Sequence, residues 1–256
     1  MNRKFQKLII MLVTVTFVSG AVRASALLGE DWLIGKLFDT TLWYISRTPI
    51  DEMKELAEEG NAQAQYALGL SYYKGEKIGK NYAESLKWVR RAAEENGHAE
   101  AQLCLGYMYS EGIGTPLNYA EAARWYCRAA EKGIPEAQYN LAIMYDNGYG
   151  IRQNRAEALR WYRKSAEQGE PKAQYNLGVM YYNGEEVKQD YGEAATWYRK
   201  SAEHGYPKAQ SSLGMMLILG EGVARNYDEG VKLLRSSARQ GYPKAKEALE
   251  TLGEKW

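Results

Sequence analysis

Apolar and polar positions along this chain follow a cycle that returns every 36 or 37 residues. Within residues 134–169, apolar or small residues stand at 137, 141, 144 and 145. That spacing, i, i+4, i+7, i+8, is one face of an α-helix. Asn147-Gly148-Tyr149-Gly150 predicts its end, because glycine takes positive φ without steric penalty. Ala158, Trp161, Tyr162, Ser165 and Ala166 then mark one face of a second helix, closed by Gly169. Pro135 follows Gly133 and fits a first helical position, where its missing N–H costs nothing. The segment reads as a helix–turn–helix hairpin.

The hairpin recurs. Its closing glycine appears as Gly60, Gly97, Gly133, Gly169, Gly205 and Gly241, and its tryptophan as Trp88, Trp125, Trp161 and Trp197, with Leu233 in the fifth place. A fixed period of this size marks a repeat array, here with units 61–97, 98–133, 134–169, 170–205 and 206–241. One small residue recurs inside each first helix: Gly69, Gly106, Ala142, Gly178 and Gly214. A mid-helix glycine costs about 1 kcal/mol against alanine, so its return predicts a close helix crossing.

The consensus Ala-Gln-x-x-Leu-Gly-x-x-Tyr-x-x-Gly, followed by Ala-x-x-Trp-Tyr-x-x-Ala/Ser-Ala-x-x-Gly, resembles the Sel1-like repeat, a relative of the tetratricopeptide repeat. The resemblance covers residues 60–241. It implies an all-α fold, a right-handed α-solenoid used as a protein-binding scaffold. Unit one departs by a residue inserted within Glu94-Glu95-Asn96, which is expected to loosen that turn.

The flanks differ from the array. Residues 1–26 read as a signal peptide: Arg3, Lys4 and Lys7, an eleven-residue apolar run Leu8–Val18, then Ala24-Ser25-Ala26. The run is shorter than the roughly 20 residues that span a bilayer; a retained anchor is the alternative. Residues 27–60 read as an N-terminal capping segment. Its apolar stretch 27–47 suits an amphipathic helix folded over the array, with membrane-surface association as the other reading, weakened by only two basic residues, Lys36 and Arg47. Residues 242–256 repeat a first-helix start and then turn charged, as a C-terminal capping helix should.

Charge narrows the class of partner. The whole chain has a formal charge of +1, and without Arg3, Lys4, Lys7 and Arg23 residues 27–256 stand at −3. A near-neutral chain has no electrostatic footprint for nucleic acid. Nor does the sequence suggest a cofactor or a metal. His98 and His204 are the only histidines, and neither has further ligands at recognisable spacing. The Gly-x-Gly turns at 112–114, 148–150 and 220–222 lack the Gly-Lys-Ser/Thr of a phosphate loop and read as helix stops. Cys104 and Cys127 share unit two, lie off the apolar stripe and have no counterparts in other units. Free thiols are expected, and a bridge is the alternative that secretion permits.

Recurring polar positions are the candidate binding residues. Gln65, Gln102, Gln138, Gln174 and Gln210 form one row on the first helices, and Asn140 and Asn176 another. Arg90, Arg163, Arg199 and Arg235 form a row on the second helices. Stacking turns such rows into ladders, and amides and guanidiniums on a concave face suit peptide or acidic-surface recognition. Solvated helix faces are the competing reading. Unit five also places Ile218-Leu219 where other units hold polar or amphipathic residues, away from the stripe of Ala209, Leu213 and Met216. With Arg199 and Arg235 they form a candidate anchor for a partner, unless they pack beneath the helix at 242–252.

The expectation is thus a non-catalytic protein-interaction scaffold of the bacterial envelope, periplasmic or secreted. It would act as an adaptor, a regulator or, as the resemblance implies, an immunity protein against a toxic effector. The resemblance also implies an alternative from another class, a secreted β-lactam-binding or hydrolysing relative.

Overall fold

The computed structural model describes residue 41 and residues 44–255. The expected signal peptide at 1–26, and the capping segment as far as 40, lie outside the described residues. A helical stretch at 44–47 precedes twelve α-helices, and no strand occurs among the described residues. They are α1 (Ile50–Glu58), α2 (Ala62–Lys74), α3 (Tyr82–Glu94), α4 (Ala99–Glu111), α5 (Tyr119–Glu131) and α6 (Pro135–Asn147), then α7 (Arg155–Glu167), α8 (Pro171–Asn183), α9 (Tyr191–Glu203), α10 (Pro207–Leu219), α11 (Tyr227–Arg239) and α12 (Pro243–Leu252). The chain divides into two compact units whose boundary falls at residues 158 and 159, inside α7. In the N-terminal unit each helix from α1 to α6 packs on the next, and in the C-terminal unit each from α8 to α12 does the same. Neighbour-on-neighbour packing is the organisation of an α-solenoid.

The two helices of a hairpin are buried differently. Second helices keep one apolar face: α5 buries Ala122, Ala123, Trp125, Tyr126, Ala129 and Ala130. First helices do not. Between α3 and α5, α4 buries Ala101 through Met108 without a break, and Ser110 as well. The single face expected at 137, 141, 144 and 145 is therefore too narrow: α6 also buries Glu136, Gln138, Tyr139, Asn140, Ala142 and Asp146. A helix enclosed by its own partner and by adjoining hairpins has little surface left for water.

The small residue inside the first helices marks the predicted close crossing. A methyl group added at Gly106 would lie 2.7 Å from the Tyr126 ring, and at Gly178 the same distance from Tyr198. The double-glycine turns do two jobs. Gly148 ends α6 in the left-handed region at φ 73°. Gly150, at φ 69°, is pressed against the start of α5, where a Cβ would fall 2.2 Å from the Tyr119 carbonyl carbon. The turn thus locks one hairpin onto the one before it.

Capping shows why the second helices begin where they do. Asn118 and Asp190 accept from Glu121 and Glu193 backbone N–H groups, and Asn81, Asn154 and Asn226 cap in the same way. The underlying Asn/Asp-x-x-Glu spacing is a capping-box signal that is readable in the sequence. The extra residue of unit one does not loosen its turn. Asn96 Nδ2 reaches back to the Gly60 carbonyl at 3.2 Å and to Gln65 Oε1 at 3.1 Å.

Candidate partner-binding surface

The glutamine row is structural. Nε2 of Gln65, Gln102, Gln138, Gln174 and Gln210 donates to the carbonyl of Ala57, Ala93, Ala130, Ala166 and Ala202, at 3.0–3.4 Å. Each acceptor sits in the last turn of the preceding helix, where carbonyls have no intrahelical donor. Gln138 and Gln174 are 4% exposed and Gln210 7%. These amides stitch one hairpin to the next and line no open surface, which corrects the expectation of a binding ladder. Asn140 is likewise buried, while Asn176 is half-buried.

The arginine row is divided between exposure and internal ties. Arg199 Nη1 lies 3.0 Å from Glu229 Oε1, and Arg235 holds Glu254 Oε2 at 2.8 Å and the Lys255 carbonyl at 2.7 Å. Arg90 Nη2 donates to the Tyr109 hydroxyl at 2.8 Å. Each of these three reaches a residue later in the chain. Arg163 is exposed and makes no ion pair among the described residues.

Ile218 and Leu219 are not an exposed anchor. Ile218 is fully buried with Met215, Val231, Leu234, Ala245, Ala248 and Leu249, and Leu219 packs against the same cluster. Gly230 stands where three other units have alanine, and a Cβ there would lie 2.5 Å from Ile218 Cγ1. The larger side chain at 218 is accommodated by the smaller one at 230.

The remaining reactive groups are held in structural roles. His98 caps α4: its Nδ1 accepts from the Ala101 N–H at 3.3 Å, and its Nε2 lies 3.0 Å from Gln63 Oε1. Burial lowers its pKa, Glu100 opposes that and Lys132 adds to it, so the neutral ring is the form the fold holds. Burial pushes the Cys104 thiol up to about 12, which makes it a poor nucleophile. Contrary to its expected place off the core, Cys104 is buried; both it and half-buried Cys127 are free thiols. Sequence reasoning passed over Ser71-Tyr72-Tyr73-Lys74, which has Ser-x-x-Lys spacing. Ser71 is 1% exposed and donates to the Ala67 carbonyl of its own helix at 2.9 Å. No group of His, Cys, Asp and Glu fit to hold a metal occurs among the described residues.

In the C-terminal unit a polar surface does gather at the first turns of α8, α10 and α12. Lys172, Lys208 and Lys244 occupy the second position of the three helices, and Tyr206 and Tyr242 directly precede α10 and α12. Tyr175 and Tyr206 meet edge to face, with ring centroids 5.4 Å apart. The Tyr175 hydroxyl shares a hydrogen bond with Ser212 and lies within electrostatic range of Tyr242 and Tyr206. Burial first, then Tyr242 and Tyr206, raises the pKa of Tyr175 against the opposing effect of the Ser212 bond, so its hydroxyl stays neutral.

The family model for the Sel1 repeat matches residues 62–97, 99–134, 135–170, 171–206 and 207–242. Among solved structures, a protective antigen of uropathogenic Escherichia coli strains with this repeat fold is 35% identical, with a TM-score of 0.73. The match covers 81% of this chain and 49% of that one, so the chain spans about half the antigen's length. A Sel1 repeat protein from Oxalobacter formigenes is 28% identical with a TM-score of 0.72, covering 87% of this chain and 97% of that one. An immunity protein from Pseudomonas aeruginosa, 23% identical with a TM-score of 0.49 over 73% of this chain and 67% of that one, is too remote to bear on function. No curated protein matches the chain.

Proposed function

The chain belongs to the Sel1 repeat family, and from that premise we propose that it is a non-catalytic protein-interaction scaffold of the bacterial envelope, an adaptor, regulator or immunity protein. Sel1 repeats generally mediate protein–protein interaction. The observation that carries the reading is the array itself: five consecutive repeats between residues 62 and 242 with no interruption large enough to hold another domain. The proposed export rests on the basic start, the apolar run Leu8–Val18 and Ala24-Ser25-Ala26. Among the described residues, no helix is long and apolar enough to cross a membrane.

The test is cross-linking of the tagged, exported protein in its native envelope, followed by affinity recovery and mass spectrometry. A discrete protein cross-linked in stoichiometric amount, together with a mature chain beginning at Leu27, is the expected result. Turnover of a chromogenic β-lactam by the purified protein would replace the scaffold reading with a hydrolase.

A further inference from the structure

We propose that the first turns of α8, α10 and α12 form a docking face for an acidic peptide segment of the partner, with Lys208 at its centre. The inference rests on the protein-binding reading and names the chemistry of the segment bound. The geometry starts from three helices that adjoin. Tyr175 and Tyr182 of α8 pack with Ala209, Leu213 and Met216 of α10, and Met215 and Ile218 of α10 pack with Ala245 and Leu249 of α12. Each lysine holds the same position in its helix, and Lys208 lies within electrostatic range of both Lys172 and Lys244.

Three features favour a carboxylate-bearing ligand. Lys208 is exposed as a residue although its ammonium lies partly among its neighbours, and it has no ion pair among the described residues. Its ammonium is pushed below the ordinary lysine range, first by partial burial and then by Lys244, while Lys172 feels burial and Lys208 in the same direction. Like charges held together without full solvation are relieved by an arriving anion. Alongside them Tyr206 and Tyr242 carry hydroxyls whose pKa values are raised, chiefly by burial, so they remain protonated donors. Glu170, itself buried, opposes the lowering at Lys172 and acts on Tyr206, whereas at Lys208 burial and Lys244 both act in the lowering direction. Ammonium and hydroxyl donors spaced by helix packing suit the side-chain carboxylates of an extended acidic segment.

The experiment is fluorescence anisotropy of the full exported chain with a labelled oligoglutamate peptide, against oligoglutamine of the same length. The wild type should bind oligoglutamate in preference, and binding should weaken between about 50 and 200 mM salt. Lys208→Gln with Lys244→Gln should weaken it about fivefold to tenfold. Lys188→Gln with Lys232→Gln removes the same charge from exposed positions of the same unit, and should change it less than about twofold. Equal loss from both pairs, or equal binding of the two peptides, overturns the docking face. The envelope cross-linking with the Lys208/Lys244 variant separates the two proposals. Undiminished recovery of a partner refutes the acidic-segment face alone, whereas no partner even for the wild type refutes the scaffold reading beneath it.

Discussion

At the scale of single residues, buried groups decide most of what can be measured. Trp125 is 4% exposed, with the Arg128 guanidinium 4.5 Å above its ring. Trp125→Ala should cost about 3–5 kcal/mol in urea unfolding, and a cost under about 1 kcal/mol would mean that the core face of α5 is misplaced. His98 offers a pH-dependent counterpart. Its pKa is lowered in the fold by burial and by Lys132, against the pull of Glu100. Below the ordinary value near 6.5 the unfolded chain therefore binds a proton more readily than the folded one. The stability that neutral His98 contributes is present above that pH and is lost as the pH falls through its lowered folded value. Protonation at Nδ1 would also remove the cap on Ala101 N–H. His98→Asn keeps a capping side chain, as Asn61 does for α2, and has no proton to gain. Thermal melts between about pH 7.5 and 5 should show a smaller loss for this variant than for the wild type; parallel curves would assign the acid sensitivity to other groups.

At the scale of helices and turns, glycines separate backbone strain from steric conflict. Gly133 has φ 90° with open space where a Cβ would go, while Gly150 has φ 69° and the Tyr119 backbone 2.2 Å from that point. Gly133→Ala should cost about 1–2 kcal/mol, the strain of a left-handed alanine. Gly150→Ala adds displacement of α5 and should cost clearly more, in the range above about 2 kcal/mol; equal losses by urea unfolding would remove the interlock between hairpins. This scale also shows what could be read in advance. The hairpins, their stops and the close crossing at Gly106 were legible because each depends on a local pattern repeated five times. The role of Gln138 and Gln174 was not, because a polar residue at regular spacing looks solvated until its acceptor is known, and here the acceptor is a helix end eight residues earlier in the chain. The Asn118 and Asp190 caps were within reach, since the glutamate three residues on completes the motif.

For the molecule as a whole, stability resides in interfaces between neighbouring elements rather than in one centre. Ile218 follows the alternative stated for it, packing beneath α12 instead of anchoring a partner, for that reason. A helical wheel assigns a first helix one buried face, whereas α10 meets α9, α11 and, through Met215 and Ile218, α12. The cluster of Met215, Ile218, Val231 and Leu234 is then covered by Ala245, Ala248 and Leu249 of α12. This arrangement makes the cost of a substitution at 218 conditional on α12. In the full chain Ile218→Ser removes a fully buried side chain and leaves a hydroxyl in its place, which should cost about 2–5 kcal/mol. In a chain shortened to end at Gly241, Ile218 loses the α12 part of its surroundings and keeps the part supplied by α11. The same substitution should cost less there, with a coupling of about 1 kcal/mol or more between the two changes, as expected for groups in direct contact. Light scattering of the shortened chain should rise with concentration, because an apolar surface has been uncovered, and Ile218→Ser should reduce that rise. An equal cost of Ile218→Ser in both chains, measured by urea unfolding, would show that α12 does not cover Ile218 and would return that residue to the candidates for partner binding.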